Sequence, residues 1–363
     1  MKPYKPENLP LQNLEWQHLI SLISEANRKL ARYDGILQTM PNPLLLLSPL
    51  TTQEAVLSSR IEGTQATLEE VLKFEADPKA ETKKYDDIQE VINYRKATAV
   101  AVEEMKKRPI SLNLIKNMHS VLLQSVRGEN KARGEFRKIQ NWIGKPGSTI
   151  EQASFVPPDP NELMKGLDNF EKYIHYEEKD RLVQLAIIHA QFEILHPFLD
   201  GNGRIGRILI PLFFFEKKIL NTPMFYISAF FDSNRDEYYD KLKAVTDNKN
   251  WEGWIKFFLK GVIHQSEKNI DKAKSILQLY NKMKEKMISV THSQYSIKVL
   301  DNLFDMPVFS STDFIKNSNI PKASAKRILN RLEEAGTINI LTQGSGRKPT
   351  LYIFRQLIEI ANE

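Results

Sequence analysis

The sequence predicts a mainly α-helical fold with one small β-hairpin flap in its middle and a winged helix-turn-helix at its C-terminal end. Three observations lead there. Apolar residues recur at three- and four-residue intervals across 14–33, 53–74, 86–105, 111–125, 161–175 and 181–195, the period of helices with a buried face. Strand-like alternation is scarce before residue 337. Beyond about residue 290 come two short helical stretches, a basic helix and two β-branched or aromatic runs joined by a Gly-rich turn, the element order of a winged helix.

Taken in order, the first boundaries lie in "SPLTTQEAVLSSRIEGTQATLEEVL". Thr51 or Thr52 is expected to cap a helix over 51–63, Gly63 to close it, and Thr67 with Glu70 to form a capping box for the next. "RKIQNWIGKPGSTIEQASFVPPDP" breaks the helical period with Gly144, Pro146, Gly147 and the Pro157-Pro158 pair, and the short apolar pieces around that turn predict the hairpin. Helical spacing returns in "EYYDKLKAVTDNKNWEGWIKFFLKGVIHQ" and runs through a lysine-rich, solvated connecting helix to about residue 290. "KASAKRILNRLEEAG" is the basic helix and "TINILTQGSGRKPTLYIF" the closing hairpin. The expected domains are a helical region over 1–99, a core with trailing helices over 100–290, and the winged helix over 291–363.

Composition narrows the class. With 363 residues, 41% hydrophobic and 26% charged, the chain has a globular balance and a length that suits about two or three compact units. Its net charge of +6 favours a polyanionic ligand without specifying one. The absence of cysteine excludes disulfide scaffolds and thiolate zinc sites, and no H-E-x-x-H motif offers another zinc site. The start "MKPYKPENLP" lacks the apolar core of a signal peptide, and no run approaches the ~20 apolar residues of a membrane span. The expected location is cytoplasmic, with no membrane partner.

One stretch carries chemistry: "LHPFLDGNGRIGRILI", residues 195–210. Gly201, Gly203 and Gly206 match G-x-G-x-x-G literally, but the dinucleotide fingerprint needs a preceding strand, and "DRLVQLAIIHAQFEIL" is helical. No G-x-x-x-x-G-K-[ST] phosphate loop occurs either. What fits is helix, loop, helix. Glycines let backbone N–H groups approach a ligand, and a helix start adds its positive dipole end, so the loop is an anion cradle. Arg204 and Arg207 lie three apart on one side of the second helix. Asp200 offers a hard oxygen to Mg²⁺, and His196 accepts a proton near neutral pH. Cradle, cation site and base together describe phosphoryl or nucleotidyl transfer. His119, His189 and His264, on apolar helices without such neighbours, are read as satisfied core histidines. Pro211 is expected to kink the second helix.

The stretch from His196 to Arg207 resembles the Fic motif, H-x-F-x-[DE]-G-N-G-R-x-x-R, at every fixed position. The resemblance implies a Fic helical core and protein adenylylation, the transfer of AMP from ATP to a Ser, Thr or Tyr hydroxyl of a target protein, with Mg²⁺. It makes His196 the base that deprotonates the hydroxyl and gives Asp200 the Mg²⁺. Asn202, Gly201, Gly203 and Gly206 with Arg204 take the phosphates, Arg207 the γ-phosphate, and Phe198 anchors the loop. Gly203 stands where the kinases of the family carry lysine, which favours AMP transfer. "NRDEYYDKL" is similar to the segment whose second tyrosine, here Tyr239, lines the adenine pocket, and "WIGKPGSTIEQASFVPPDP" is similar to the flap that holds the target as an added strand. "SSRIEG" matches the family's inhibitory signature through Ser58, Glu62 and Gly63. By resemblance Glu62 pairs with Arg207 in place of the γ-phosphate. Its position at a helix C-terminus, where negative charge is disfavoured, independently calls for a partner.

Other readings stay open. Glu62 could orient a water that removes AMP from a modified protein, the core could sense nucleotide for a DNA-binding regulator, or the donor could be another nucleotide or a phosphocholine compound. In the C-terminal module, Lys322, Lys326, Arg327 and Arg331 on the basic helix, with Arg347 and Lys348 in the wing, suit DNA phosphates, and Ser324 and Asn330 could read bases. Such modules also bind protein partners or form homodimers.

Overall fold

The computed structural model describes residues 2–79, 82–126, 130–144, 147–346 and 348–363. Its helices are α1 (Ile20–Thr39), α2 (Pro43–Leu46), α3 (Ser48–Ile61), α4 (Leu68–Ala76), α5 (Tyr85–Met105), α6 (Leu112–Leu122), α7 (Pro160–Ile174), α8 (Arg181–Leu195), α9 (Asn202–Glu216), α10 (Ser228–Ser233), α11 (Arg235–Asn248) and α12 (Trp251–Thr291). Then follow α13 (Ser296–Asp305), β1 (Val308–Ser310), α14 (Ser311–Asn317), α15 (Lys322–Glu334), β2 (Asn339–Thr342), β3 (Leu351–Ile353) and α16 (Arg355–Asn362). Among the described residues no helix is long and apolar enough to cross a membrane.

Two compact units interleave along the chain. One comprises Met1–Asp34, Leu57–Gly63 and Asn93–Glu267, the other Gly35–Val56, Thr64–Ile92 and Lys268–Glu363. Helices α1, α3, α5 and α12 each contribute residues to both. Periodicity along a helix reports burial and not which neighbour buries it.

In the first unit the elements gather around α8. Leu182 through Phe192 are all buried, as are Ile194 and Leu195, so this helix is apolar on every side and belongs inside a core. Asp180 caps it, its Oδ1 accepting from the Leu182 and Val183 amides at 2.9 and 3.0 Å. Helices α7, α9 and α11 pack on it. The polar residue Gln184 is tolerated inside because its amide donates to the Tyr173 and Tyr176 carbonyls at 2.8 and 2.7 Å. Trp254, fully buried, donates its indole N–H to the Ala186 carbonyl at 2.7 Å. Helix α9 is continuous through Pro211, whose missing N–H leaves the Arg207 carbonyl without its intrahelical donor. Among the described residues, the expected hairpin shows one antiparallel bridge, Ile143 to Phe155, around a short 3₁₀ turn at Ile150–Gln152.

In the second unit, β1, β3 and β2 form an antiparallel sheet in that order. Phe309 stands opposite Tyr352, and Ile340 meets Tyr352 from the other side before a bulge shifts the pairing to Thr342 and Leu351. Helix α4 packs on β1 and α16, and α2 packs on α13. The Thr67–Glu70 capping box is present, with the Glu70 amide 3.3 Å from the Thr67 hydroxyl and the Thr67 amide 2.9 Å from the Glu70 carboxylate. Thr51 and Thr52 do not cap α3, which begins at Ser48. Their hydroxyls bond back to the Leu47 and Ser48 carbonyls at 3.4 and 3.3 Å, the mid-helix behaviour of threonine. Sequence reading also missed β1 and α16, three and eight residues long, too short for a period to register.

Replacing Trp254 tests how far the α8 core carries the first unit. Trp254→Ala should cost about 3–5 kcal/mol of unfolding free energy by urea titration, and Trp254→Phe, which keeps most of the volume and loses the hydrogen bond, about 1–2 kcal/mol. Equal losses for the two would show that packing contributes nothing beyond the hydrogen bond.

Candidate active site

The site forms where α8 gives way to α9. Helix α8 ends on His196 in the left-handed conformation (φ 45°, ψ 59°), with its amide still bonded to the Phe192 carbonyl at 3.0 Å. Gly201 begins α9 at φ 76°, a conformation that glycine adopts without a Cβ penalty. Between them the backbone is fixed from four sides. Asn202 accepts from the Phe198 amide and donates to the Phe198 carbonyl, both at 2.8 Å. Arg137 donates to the His196 carbonyl at 2.9 Å and the Pro158 carbonyl at 2.5 Å. Asn141 reaches the Phe198 carbonyl at 3.1 Å. His119 Nδ1 accepts from the Gly134 amide at 2.9 Å, so its Nε2–H donates to the Asp200 carbonyl at 3.0 Å, while its ring stacks on fully buried Phe198 at 3.7 Å.

Asn202 is buried, with its side chain bonded to both backbone groups of Phe198, so it shapes the cradle. One reading is corrected. His264 is exposed, with its ring 5.8 Å from Phe230, and is no core histidine. His189 is one. Its Nδ1–H donates to the Gly206 carbonyl at 3.2 Å and its Nε2 lies 2.9 Å from the Tyr238 hydroxyl, tying α9 and α11 to α8. Sequence reasoning missed Arg137 and Asn141 because they act on carbonyls, and no side-chain pattern advertises a carbonyl partner.

The electrostatics centre on Arg207, whose side chain is 1% exposed. Its Nε donates to the Ser58 hydroxyl at 2.8 Å, and its Nη2 to the Ser58 carbonyl at 2.9 Å and to Glu62 Oε1 at 2.6 Å. Burial works against the guanidinium, and Glu62 outweighs it and keeps it charged. Burial likewise pushes the Glu62 carboxyl up, but the charge and hydrogen bond of Arg207, with Arg204 and His196 adding, hold it below the usual carboxylate range. Gly63, at φ 105°, closes the helix behind Glu62, and Arg60 donates to Asp232 at 3.0 Å. The Glu62 carboxylate lies over the first turn of α9. A Cβ on Gly203 would collide with its Oε1, which gives that glycine a steric reason of its own.

His196 is half-buried, with its Nδ1 closed off from water. Burial brings its pKa down to about 4, with the Glu193 carbonyl, Glu62 and Asp200 pulling the other way and Arg137 reinforcing the fall. The ring is therefore neutral at physiological pH, the state of a base. Asp200 Oδ1 accepts from the Gly201 amide at 2.6 Å and lies 3.4 Å from Arg204, whose side chain is nearly buried. Among the described residues no group of three or more His, Cys, Asp or Glu could hold a metal ion. One carboxylate at the mouth of an anion cradle fits Mg²⁺, which takes most of its ligands from water and phosphate. Tyr239, 43% exposed, lines a cleft of about 480 Å³ with Glu193, Arg235, Thr246 and the bridge residues Ile143 and Phe155.

In the second unit, Lys322, Lys326 and Arg327 project from α15 into solvent, as do Asn330 and the turn residue Lys348, while Ser324 is half-buried. Arg331 departs from that set. It donates to the Thr291 carbonyl at 2.7 Å and so serves the C-terminus of α12. Arg347 lies outside the described residues.

Burial of three histidines makes stability pH-dependent. His119, His189 and His196 have pKa values brought down to about 4, 3 and 4, so between pH 6.5 and 4.5 the unfolded chain binds three protons that the folded chain refuses. Glu193, raised to about 7, opposes them by one proton, since it is protonated folded and ionised unfolded. Stability should fall by about 3 kcal/mol per pH unit across that window, whereas Glu62, with a lowered pKa, loses its contribution only at lower pH. Thermal melts from pH 7 to 4.5 check this, and a flat melting temperature would contradict it.

A model of the Fic/DOC family N-terminal region matches residues 20–103, and a model of the Fic/DOC family matches residues 109–214. The chain is similar to a probable protein adenylyltransferase of Aquifex aeolicus, 28% identical over 202 residues, 55% of this chain and 57% of that protein. It is also similar to the protein adenylyltransferase Fic of Drosophila grimshawi, 27% identical over 216 residues, 58% of this chain and 40% of that protein. The chain thus spans about half the length of the curated relatives it matches. Its fold resembles that of a Fic family protein from Desulfovibrio desulfuricans, with a TM-score of 0.58 at 20% identity over 97% of this chain and 98% of that one. It also resembles Fic-1 from C. elegans, with a TM-score of 0.51 at 19% identity over 73% and 75%. With both models together spanning more than half of its length, and with the loop they enclose built as described, the chain belongs to the Fic/DOC family.

Proposed function

We propose that this protein transfers AMP from ATP to a Ser, Thr or Tyr hydroxyl of a protein target, and that Glu62 holds the site off. One observation carries the reading. The chain seats its own carboxylate on a buried arginine over the N-terminus of α9, the position built for a phosphate. The names of the relatives, protein adenylyltransferases, support the same chemistry.

In the reaction, the amides at Gly201 and Gly203 with Arg204 and Arg207 hold the phosphates. Asp200 would hold Mg²⁺, which when bound would neutralise charge across them. Neutral His196 takes the proton of the target hydroxyl. The freed oxygen bonds to the α-phosphorus, the bond to the bridging oxygen breaks, and pyrophosphate leaves with that oxygen. Trp142 and Ile143, 43% and 39% exposed beside the cleft, offer an apolar edge for the target segment. The cysteine-free sequence suits a reducing compartment, and we place the chain in the cytoplasm.

For the second unit, the exposed Lys322, Lys326 and Arg327 on α15 favour a winged helix that holds DNA phosphates.

Two experiments test these readings. Wild type, Glu62→Gly and His196→Ala are incubated with Mg²⁺ and ATP labelled at the α- or γ-phosphate. Protein should take up α-label only, roughly tenfold or more in Glu62→Gly, the equivalent of about 1.4 kcal/mol, and none in His196→Ala. γ-Label would make the enzyme a kinase. A Glu62→Gly variant no more active than wild type would refute the brake, and release of AMP from a modified protein without any transfer would favour the reverse reaction. For DNA, mobility shifts across a salt series should lose about 2.7 from the log–log slope when all three cations become alanine. An unchanged slope would direct the module to a protein partner or a second copy.

A further inference from the structure

Glu193 is left over by the reaction just described. It lies on α8 one turn before His196, and its Oε1 is buried with no hydrogen-bond partner, an arrangement that native proteins avoid unless something else completes it. A Cβ on Gly206 would come within 2.5 Å of that oxygen, which puts the carboxyl against the start of α9. Oε1 itself is closed off there, and the residue also lines the cleft of about 480 Å³ that Tyr239 borders. Of the other polar residues around that cleft, Ser154, Arg235, Asp240 and Lys243 are exposed and face water, and half-buried Thr246 donates its hydroxyl to the Lys243 carbonyl at 2.9 Å. Glu193 is the half-buried acid among them. The charged and titratable groups around it are Glu62 from the inhibitory segment, Arg207 from α9, and Tyr238 and Tyr239 from α11.

We propose that Glu193 reads the base of the donor nucleotide by accepting a hydrogen bond from its exocyclic amino group. The inference rests on the nucleotide-binding reading above. Tyr239 presents an exposed aromatic ring on which a flat base stacks. The carboxyl that shares its cleft then meets the edge of the base and not its face. Burial first, and Glu62 second, push the Glu193 pKa up to about 7 against the pull of Arg207. The group is thus poised between acid and anion, and an amino donor satisfies its acceptor oxygen in either state. A base without an amino group at that edge offers the carboxyl no donor, and discrimination by an unsatisfied polar group is strong.

The test measures dissociation constants for ATP and for purine riboside triphosphate, the same nucleotide without the amino group, by calorimetry with Mg²⁺. The proteins are Glu62→Gly alone and combined with Glu193→Gln or Glu193→Leu, with circular-dichroism melts confirming that each is folded. Glu62→Gly should prefer ATP by roughly tenfold or more. Glu193→Gln, which keeps an acceptor oxygen, should retain that preference, and Glu193→Leu should abolish it by weakening ATP while leaving the analogue unchanged. Equal weakening of both nucleotides would make Glu193 a structural residue, and an undiminished preference in Glu193→Leu would place the reader elsewhere; either overturns the proposal. Failure of Glu62→Gly to bind either nucleotide would instead overturn the nucleotide reading from which it starts.

Discussion

The site depends on a guanidinium that has been taken out of water. Arg207 is 1% exposed, and a charge so placed is tolerable only when an anion and well-aimed acceptors replace its hydration. Ser58 supplies two acceptors and Glu62 the anion. Much follows from that need. Glu62 can sit at the unfavourable end of a helix because Arg207 compensates it. Gly203 must lack a side chain because the carboxylate lies over it.

A second constraint is the backbone of the loop. An anion cradle works only if its N–H groups already point at the ligand, since reorganising them during reaction forfeits much of the electrostatic gain. Here the opposite groups, the carbonyls, are held. Arg137 takes the carbonyl of His196, Asn141 and Asn202 that of Phe198, and His119 that of Asp200. With those carbonyls tied outward, and the Phe198 and Gly201 amides taken by Asn202 and Asp200, the loop backbone is held in one shape before any ligand arrives. The tautomer of His119 follows from the same geometry, because a carbonyl can only accept.

The loop was legible in the sequence because its chemistry is contiguous. A base, a carboxylate, glycines and two arginines within twelve positions have no use in a plain core, and both readings of the stretch converged on the same roles. The bonds of Asn202 to the Phe198 backbone were not legible, since a residue type says what a side chain can bond and not which partner lies nearest. The Glu62–Arg207 pair spans 145 positions and was accessible only by resemblance, helped by the oddity of a glutamate at a helix end. Arg137 and Glu193 were invisible for a different reason. One serves carbonyls, the other sits on an apolar helix whose pattern is that of any core. The bond from Arg331 to the Thr291 carbonyl was not legible, because a basic helix looks the same whether or not its arginine meets a carbonyl. The interleaving of the units was hidden too, as periodicity carries no record of tertiary neighbours.

In the proposed brake, the division of labour at Arg207 shuts the site without disordering it. Glu62 supplies the charge, whereas Ser58 fixes the direction through both its hydroxyl and its carbonyl. If Glu62 alone did both, its departure would free the guanidinium to swing, and an arriving phosphate would have to order it again at a cost in side-chain entropy. With Ser58 in place, the exchange is one anion for another on a group that does not move. In the proposed reaction nucleotide affinity is then reduced by the fraction of molecules in which Glu62 has withdrawn, and the catalytic geometry is untouched. That separation lets the strength of the brake change through residue 62 alone, without altering how the loop, His196 or Arg204 is built.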